Sequence, residues 1–326
     1  MSDSSVHAGQ RIALSIMGPT AIGKTALAMA LADELPVRII SVDSAMVFRH
    51  MNIGTAKPST QELASYPHAL VDVIEPFESY SAHEFLRDAR LELENAWDAG
   101  QLPVFVGGTM LYFRALRDGL AQMPARDQEV RDELEKEIAD RGLLALHAQL
   151  ERFDSAAASA IDPNNRQRLI RAVEVFRLTG KPISSFWASG HDGLLAKLGG
   201  RLIEHALIPA DRASLHARIN SRFQQMLREG FVDEVTGLWA RGDLSADMTS
   251  MRCVGYRQVL GHVQGLCSLE EASERGQAAT RQLAKRQLTW LRGWHQAGLV
   301  EEWVCADDPR KHLPAILEAL RIQGRA

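Results

Sequence analysis

The chain has 326 residues with a formal net charge of −4, which excludes a protein whose whole surface is built for nucleic acid but leaves room for a local basic face. An apolar fraction of 46% beside 24% charged residues predicts a packed core in one large domain or two, and excludes disorder. Three scattered cysteines (Cys253, Cys267, Cys305) without C-x-x-C spacing argue against a disulfide framework or a zinc site.

In chain order, the first ten residues are small and polar, with no secretory pattern, and no apolar run reaches the ~18 residues that cross a bilayer. A cytoplasmic location away from membranes is therefore expected. Residues 11–17 form an apolar run that predicts a strand, and Gly18-Pro19-Thr20-Ala21-Ile22-Gly23-Lys24-Thr25 follows it. This stretch fits the phosphate-loop pattern G-x-x-x-x-G-K-[ST] at every fixed position, and a helix-like run from Ala26 to Leu35 comes next. Glycines let backbone N–H groups turn inward around an anion, and the helix N-terminus favours negative charge. Lys24 can reach outer phosphates and the Thr25 hydroxyl can hold Mg²⁺. The loop thus predicts a diphosphate or triphosphate ligand without saying which.

Residues 37–42, 69–74 and 102–106 predict further strands, with a helix over Ala82–Trp97 that Gly100 stops. Near-continuous apolar strands alternating with helices predict an α/β fold: a phosphate-loop core with a parallel sheet covered by helices. In such a sheet, residues just past strand C-termini line the ligand crevice. Asp43 follows one strand and should share a cleft with Lys24. Gly107-Gly108-Thr109 follows another, with glycines that would admit a ligand closely and a threonine that could equally cap a helix.

The pattern changes near Gly119. Helices are predicted over 127–141, Leu143–Phe153 and a stretch beginning at Asp162-Pro163 and running to Thr179, with no convincing strand between. The expected division is an α/β core over 1–119 and 201–326 and a helical insertion over 120–200, with Gly190–Gly200 as connector. A returning strand is expected over Arg201–Pro209, helices over Arg212–Glu229, Val232–Ala240 and Leu269–Trp294, and a short strand over Val300–Val304. On the last long helix Arg281, Lys285 and Arg292 fall on one face, and Leu283, Gln287, Trp290, Leu291 and Trp294 on another. A second cluster, Arg166, Arg168 and Arg171, lies in the insertion. Two basic clusters beside a phosphate loop in an acidic chain predict a polyanionic partner.

Taken together, Gly18–Thr25, Ser41–Ala45, Asn52–Pro58, Val106–Tyr112, Asp162–Asn164, Gln167–Ala172, Arg252–Arg257 and Lys285–Arg292 closely resemble, in order, the bacterial tRNA dimethylallyltransferase (tRNA isopentenyltransferase) family over about residues 11–295. The resemblance implies attack by N6 of the adenosine 3′ to the anticodon on the first carbon of dimethylallyl diphosphate, with diphosphate leaving. It implies a donor site made of Gly18, Thr20, Ala21, Ile22, Gly23, Lys24, Thr25 and Arg218, with Mg²⁺ on Thr25. Asp43 would be the general base and Thr109 would line the reaction channel. Contacts to the tRNA anticodon stem-loop would come from Asp43, Ser44, Ala45 and Met46; from Gln167, Arg168, Leu169, Ile170 and Arg171; from Arg252, Cys253, Val254, Gly255, Tyr256 and Arg257; and from Lys285, Arg286, Gln287, Leu288, Thr289, Trp290, Leu291 and Arg292. A monomer is expected. Ile22, Met46, Phe48, His50 and Asn52 depart from residues common in the family, and Phe48 lacks a hydroxyl. Three other readings compete: an isopentenyltransferase acting on free adenine nucleotide, a phosphate-loop kinase of small molecules, and a non-catalytic RNA-binding protein.

Overall fold

The computed structural model describes residues 11–187, 192–300, 302–305 and 308–322. The first ten residues and the start of the expected 190–200 connector lie outside them. The chain divides into two compact units, one of residues 1–117 with 194–326 and one of residues 118–193.

The first unit opens with strand β1 (Arg11–Met17), helix α1 (Lys24–Glu34) and strand β2 (Val37–Val42). Helix α2 (Thr60–Ser65) and the two-residue strand β3 (His68–Ala69) follow, then α3 (Ala82–Asp98), β4 (Leu102–Gly107) and α4 (Met110–Asp118). Ser59 and Ser81 start α2 and α3 with reciprocal capping boxes to Glu62 and Glu84. The expected strand over 69–74 is cut short because Leu70 and Asp72 take left-handed φ values of 61° and 55°, which a strand cannot contain.

All strand pairings are parallel, in the order β3-β2-β4-β1-β5-β6, where β5 is Gly200–Ile208 and β6 is Glu302–Cys305. Both faces are covered. Ile12, Leu14 and Ile16 pack into one core with Leu27 and Leu31 of α1, while Ala13 and Met17 pack into the other with Phe85 and Leu93 of α3. This is the strand alternation expected of a sheet buried on both sides.

The second unit holds α5 (Gln128–Arg141), α6 (Leu143–Phe153), α7 (Ser155–Ala160), α8 (Arg166–Thr179) and the one-turn α9 (Ser184–Trp187) around a core that includes Leu134, Leu150, Leu169 and Val173. Helix α8 begins later than the Asp162-Pro163 pair suggested. Asp162 Oδ1 accepts from Asn164 N at 2.7 Å in a local turn, and Asn165 caps the helix by accepting from Arg168 N at 3.3 Å. Glu174 is fully buried and bound by Arg131 Nε (2.7 Å) and Arg171 Nη1 (2.8 Å), with Asp127 N adding a third donor at 3.0 Å.

Back in the first unit, the one-turn α10 (Leu194–Lys197) precedes β5. Then come α11 (Arg212–Arg228), α12 (Phe231–Ala240), α13 (Tyr256–Val263), the 28-residue α14 (Leu269–Gln296) and, after β6, α15 (Leu313–Ile322). Gly230 breaks α11 from α12 at φ 100°, a conformation only glycine takes at low cost. Helix α14 reaches both cores: Ala284 and Leu288 pack in one, Leu291 and Trp294 in the other.

Candidate active site

Strand register assembles the site. Met17 pairs with Gly107 and Gly107 with Val42, so β1, β2 and β4 end level with one another. The loops that follow them, 18–23, 43–46 and 108–109, therefore lie side by side at the carboxyl edge of the sheet, where ligands of such sheets bind. A Cβ on Gly107 would stand 2.0 Å from Val42 O, so glycine is required there by the sheet's own backbone rather than by a ligand.

In the first loop, Ala21 (φ 61°) and Gly23 (φ 102°) are left-handed, and no side chain caps α1. The leading N–H groups of α1 are thus left for other partners. Lys24 Nζ donates to Pro19 O at 2.8 Å. Burial lowers the Lys24 pKa to about 8; Asp43 opposes that shift and Arg222 adds to it. Ile22 is buried, consistent with a backbone role at its place in the loop. The Thr20 N–H, expected at the anion, donates here to Gln287 Oε1 at 3.0 Å.

In the second loop, Asp43 Oδ1 accepts from Ala45 N (2.8 Å) and Met46 N (3.3 Å), so the carboxylate closes a turn; neither bond uses Oδ2. Thr109 does not cap its own helix by its side chain. Its Oγ1 accepts the Ser44 N–H at 3.0 Å and thereby braces the Asp43 turn. The Asp43 charge is felt by Lys24, Arg222, Tyr112 and Cys253. Burial, seconded by Asp43, pushes the Cys253 thiol up to about 12 and raises Tyr112 above the usual phenol range.

Arg218 lies on α11, with Nε and Nη2 shielded from solvent. Arg222, one turn further on, was not singled out in the sequence. Burial lowers its pKa, Asp43 opposes that, and its Nη2 sits 3.4 Å from Ala56 O. The only sequence signal for it is the i, i+4 spacing from Arg218. Glu234 was missed as well. Its carboxylate accepts from the N–H groups of Asn52, Ile53 and Gly54 and from the Tyr256 hydroxyl (2.6 Å), fixing the 52–57 loop that carries Ala56. Lys57 locks the other side of that loop through Asp72 Oδ1 (2.6 Å) and Phe48 O (2.9 Å).

The stretches expected to touch tRNA separate into exposed and buried residues. On α14, Lys285, Arg286, Thr289 and Arg292 are exposed, while Gln287, Leu288 and Leu291 are buried and Trp290 is half-buried. Lys285, Arg286 and Arg292 make no ion pair among the described residues, and Arg281 is instead held by Asn220 Oδ1 at 2.6 Å. Arg252 and Arg257 are exposed, Cys253 and Val254 half-buried, and Gly255 and Tyr256 buried, Tyr256 completely. In the second unit Gln167 and Arg168 are exposed, but Leu169 and Ile170 belong to the core. Arg166 pairs with Glu135, and Arg171 with Glu174 and Pro124 O. The basic cluster read there from sequence is thus largely neutralised by its own fold.

Among the described residues no three His, Cys, Asp or Glu side chains gather as a metal site, and no helix is long and apolar enough to cross a membrane.

A parallel α/β sheet whose level strand ends bring together a lysine loop and a braced carboxylate, with Arg222 of α11 within electrostatic reach of both, suits an enzyme of the group-transfer kind. Residues 46–294 match the family described as IPP transferase, and residues 11–72 the one described as isopentenyl transferase. The tRNA dimethylallyltransferase of Chromohalobacter salexigens is 50% identical over 301 residues, spanning 92% of this chain and 94% of that protein. The full-length tRNA isopentenylpyrophosphate transferase of Bacillus halodurans superimposes with a TM-score of 0.68 at 35% identity, covering 96% of each chain. The tRNA delta(2)-isopentenylpyrophosphate transferase of Staphylococcus epidermidis gives 0.66 at 30% identity, covering 97% of this chain and all of that one. The chain belongs to the IPP transferase family.

Proposed function

We propose that the protein transfers a dimethylallyl group from dimethylallyl diphosphate to N6 of the adenosine on the 3′ side of the tRNA anticodon. The observation that carries the reading is the register of the strand ends: Met17, Gly107 and Val42 stand level, so that the Lys24 loop after β1 and Asp43 after β2 open at one edge of the sheet. One cleft thus offers a cation to a leaving anion and a carboxylate to an attacking amine. The unpaired face of α14 supplies a docking surface for the RNA backbone.

The N6 nitrogen forms a bond to the first carbon of the donor, the bond from that carbon to the bridging oxygen breaks, and diphosphate departs with the electron pair. Asp43 takes the N6 proton through the oxygen that its turn does not use. An aromatic amine is a weak nucleophile, so orientation contributes alongside basicity. Lys24, the N–H groups from Ala21 onward, Arg218 and Arg222 offset the charge that grows on the diphosphate. The phosphate loop here holds a leaving group, and no ATP is consumed. The Thr25 hydroxyl makes no hydrogen bond among the described residues, and a single hard oxygen beside a diphosphate suits Mg²⁺, which favours few protein ligands and substrate phosphate oxygens. Thr25 would hold that ion, which when bound supplies further charge neutralisation.

The adenine must leave the loop stack, at a cost of a few kcal/mol that backbone contacts offset. Incubation with unmodified tRNA and dimethylallyl diphosphate, followed by mass spectrometry of the nucleosides, tests the reading. Adenosine bearing one five-carbon unit is expected. Transfer of phosphate from ATP to an acceptor, with no modified adenosine, would overturn it.

A further inference from the structure

Gln287 departs from its neighbours on α14. Lys285, Arg286, Thr289 and Arg292 face outward, whereas Gln287 is buried and uses both ends of its amide. Oε1 accepts the Thr20 N–H at 3.0 Å and Nε2 donates to Gly108 O at 2.8 Å. The partners themselves fix which end is oxygen, since one is a donor and the other an acceptor. A Cβ on Gly108 would come within 2.3 Å of Nε2, so glycine at that place is what admits the amide. Thr20 belongs to the loop after β1. Gly108 leads into Thr109, whose hydroxyl braces Ser44 beside Asp43. One side chain therefore joins the two halves of the proposed reaction centre, 267 residues from one partner in sequence and 179 from the other.

We propose that Gln287 is a positioning residue that fixes the phosphate loop against the 107–109 turn and so sets the spacing between the donor's diphosphate and Asp43. The inference rests on the reading of that loop as the donor site. By committing the Thr20 N–H, Gln287 leaves the amides from Ala21 onward to form the anion cradle. Removing the amide leaves a partly buried donor and a buried acceptor without partners, and the loop shifts to satisfy them elsewhere. A displacement of about 1 Å at a reacting centre costs as much as ~100-fold in rate. Gln287 also follows Arg286 directly on one rigid helix, so whatever docks on the outer face of α14 is held in register with the donor.

Two variants test this. Gln287→Met keeps length and approximate volume but can make neither bond. Gln287→Glu keeps an acceptor for Thr20 but turns an oxygen toward Gly108 O and adds negative charge beside the loop. For the wild type and both variants, the donor KM and kcat are measured at saturating tRNA, tRNA affinity is measured by filter binding without donor, and folding is followed by thermal melting. The expectation is a donor KM raised about tenfold and a lower kcat in both variants, with tRNA affinity within about twofold of wild type. A wild type that makes no modified adenosine refutes the proposed function instead. An active wild type whose Gln287→Met form keeps its donor KM and kcat, or loses tRNA affinity in their place, overturns the positioning role. Should Gln287→Met fail to fold, Gln287→Glu decides by the same comparison.

Discussion

Lys24 carries a pH prediction of definite sign. Burial lowers its pKa to about 8, with Asp43 opposing the shift, so the side chain is charged below that value and neutral above it. A diphosphate attracts only the charged form. The donor KM is therefore expected to stay flat from pH 6.5 to about 7.5 and to rise above pH 8 by up to about tenfold per pH unit, where binding must recruit a proton. Replacement by arginine, which stays charged, should flatten the profile; an identical rise in Lys24→Arg would count against the assignment. Arg222→Gln is expected to raise the donor KM by about tenfold or more while leaving tRNA affinity unchanged, since it removes a buried positive charge near Lys24 and Asp43. At this scale the sequence disclosed Lys24 through the phosphate-loop pattern, and Asp43 and Thr109 through their place just past the ends of strands. It singled out neither Arg222 nor Glu234, because each acts on a loop far away in the chain and bears no local mark of it; it set Gln287 on the apolar face of its helix without showing the two loops that its amide joins.

Among the elements, hydrophobic runs announced β1, β2, β4 and β5, and glycines marked the stops after α3, α8 and α11. The failures have physical causes. Leu70 and Asp72 take positive φ, and Leu70, a residue that rarely does so, carries no local sign of it. The sequence marked Asp162 as the cap of α8, but Asp162 closes a local turn and Asn165 caps the helix instead. Helix α8 also shows that an arginine cluster is not evidence of a free surface: the partner of Arg171 is the buried Glu174 on the same helix, bridged to Arg131 on α5. Burial works against ionisation of Glu174, but its arginine partners prevail and hold its pKa below the usual carboxylate value. That stabilisation is present above about pH 4.5 and is lost as pH falls through the depressed folded value. Glu174→Leu should cost ~3–5 kcal/mol by stranding two partly buried guanidinium groups, read as a lowered denaturation midpoint. An unchanged midpoint would show the triad to be dispensable. In β5, burial alone lowers the His205 pKa to about 4, so the folded state resists its protonation. Stability should decline as pH drops from 6.5 toward 4, and His205→Gln should decline less over that window in melting experiments.

Across the whole molecule, the described cations of this acidic chain include exposed ones without an ion pair and others held by carboxylates. Lys285, Arg286 and Arg292 stand exposed on α14, while arginines elsewhere, such as Arg38, Arg131 and Arg177, are spent on carboxylates. Affinity for tRNA is expected to fall steeply with salt, and Arg286→Ala should lower the log–log slope by about one without altering the donor KM. A slope that does not change would remove this face from the docking surface. The most direct test of the central claim is Asp43→Asn. Asparagine keeps the Oδ1 acceptor that closes the 43–46 turn but cannot take a proton from the amine. Single-turnover transfer to bound tRNA should drop by at least ~100-fold, with tRNA and donor affinities within a few-fold of wild type. Transfer at the wild-type rate would show that the carboxylate only shapes the turn, and the proposed reaction centre would be wrong.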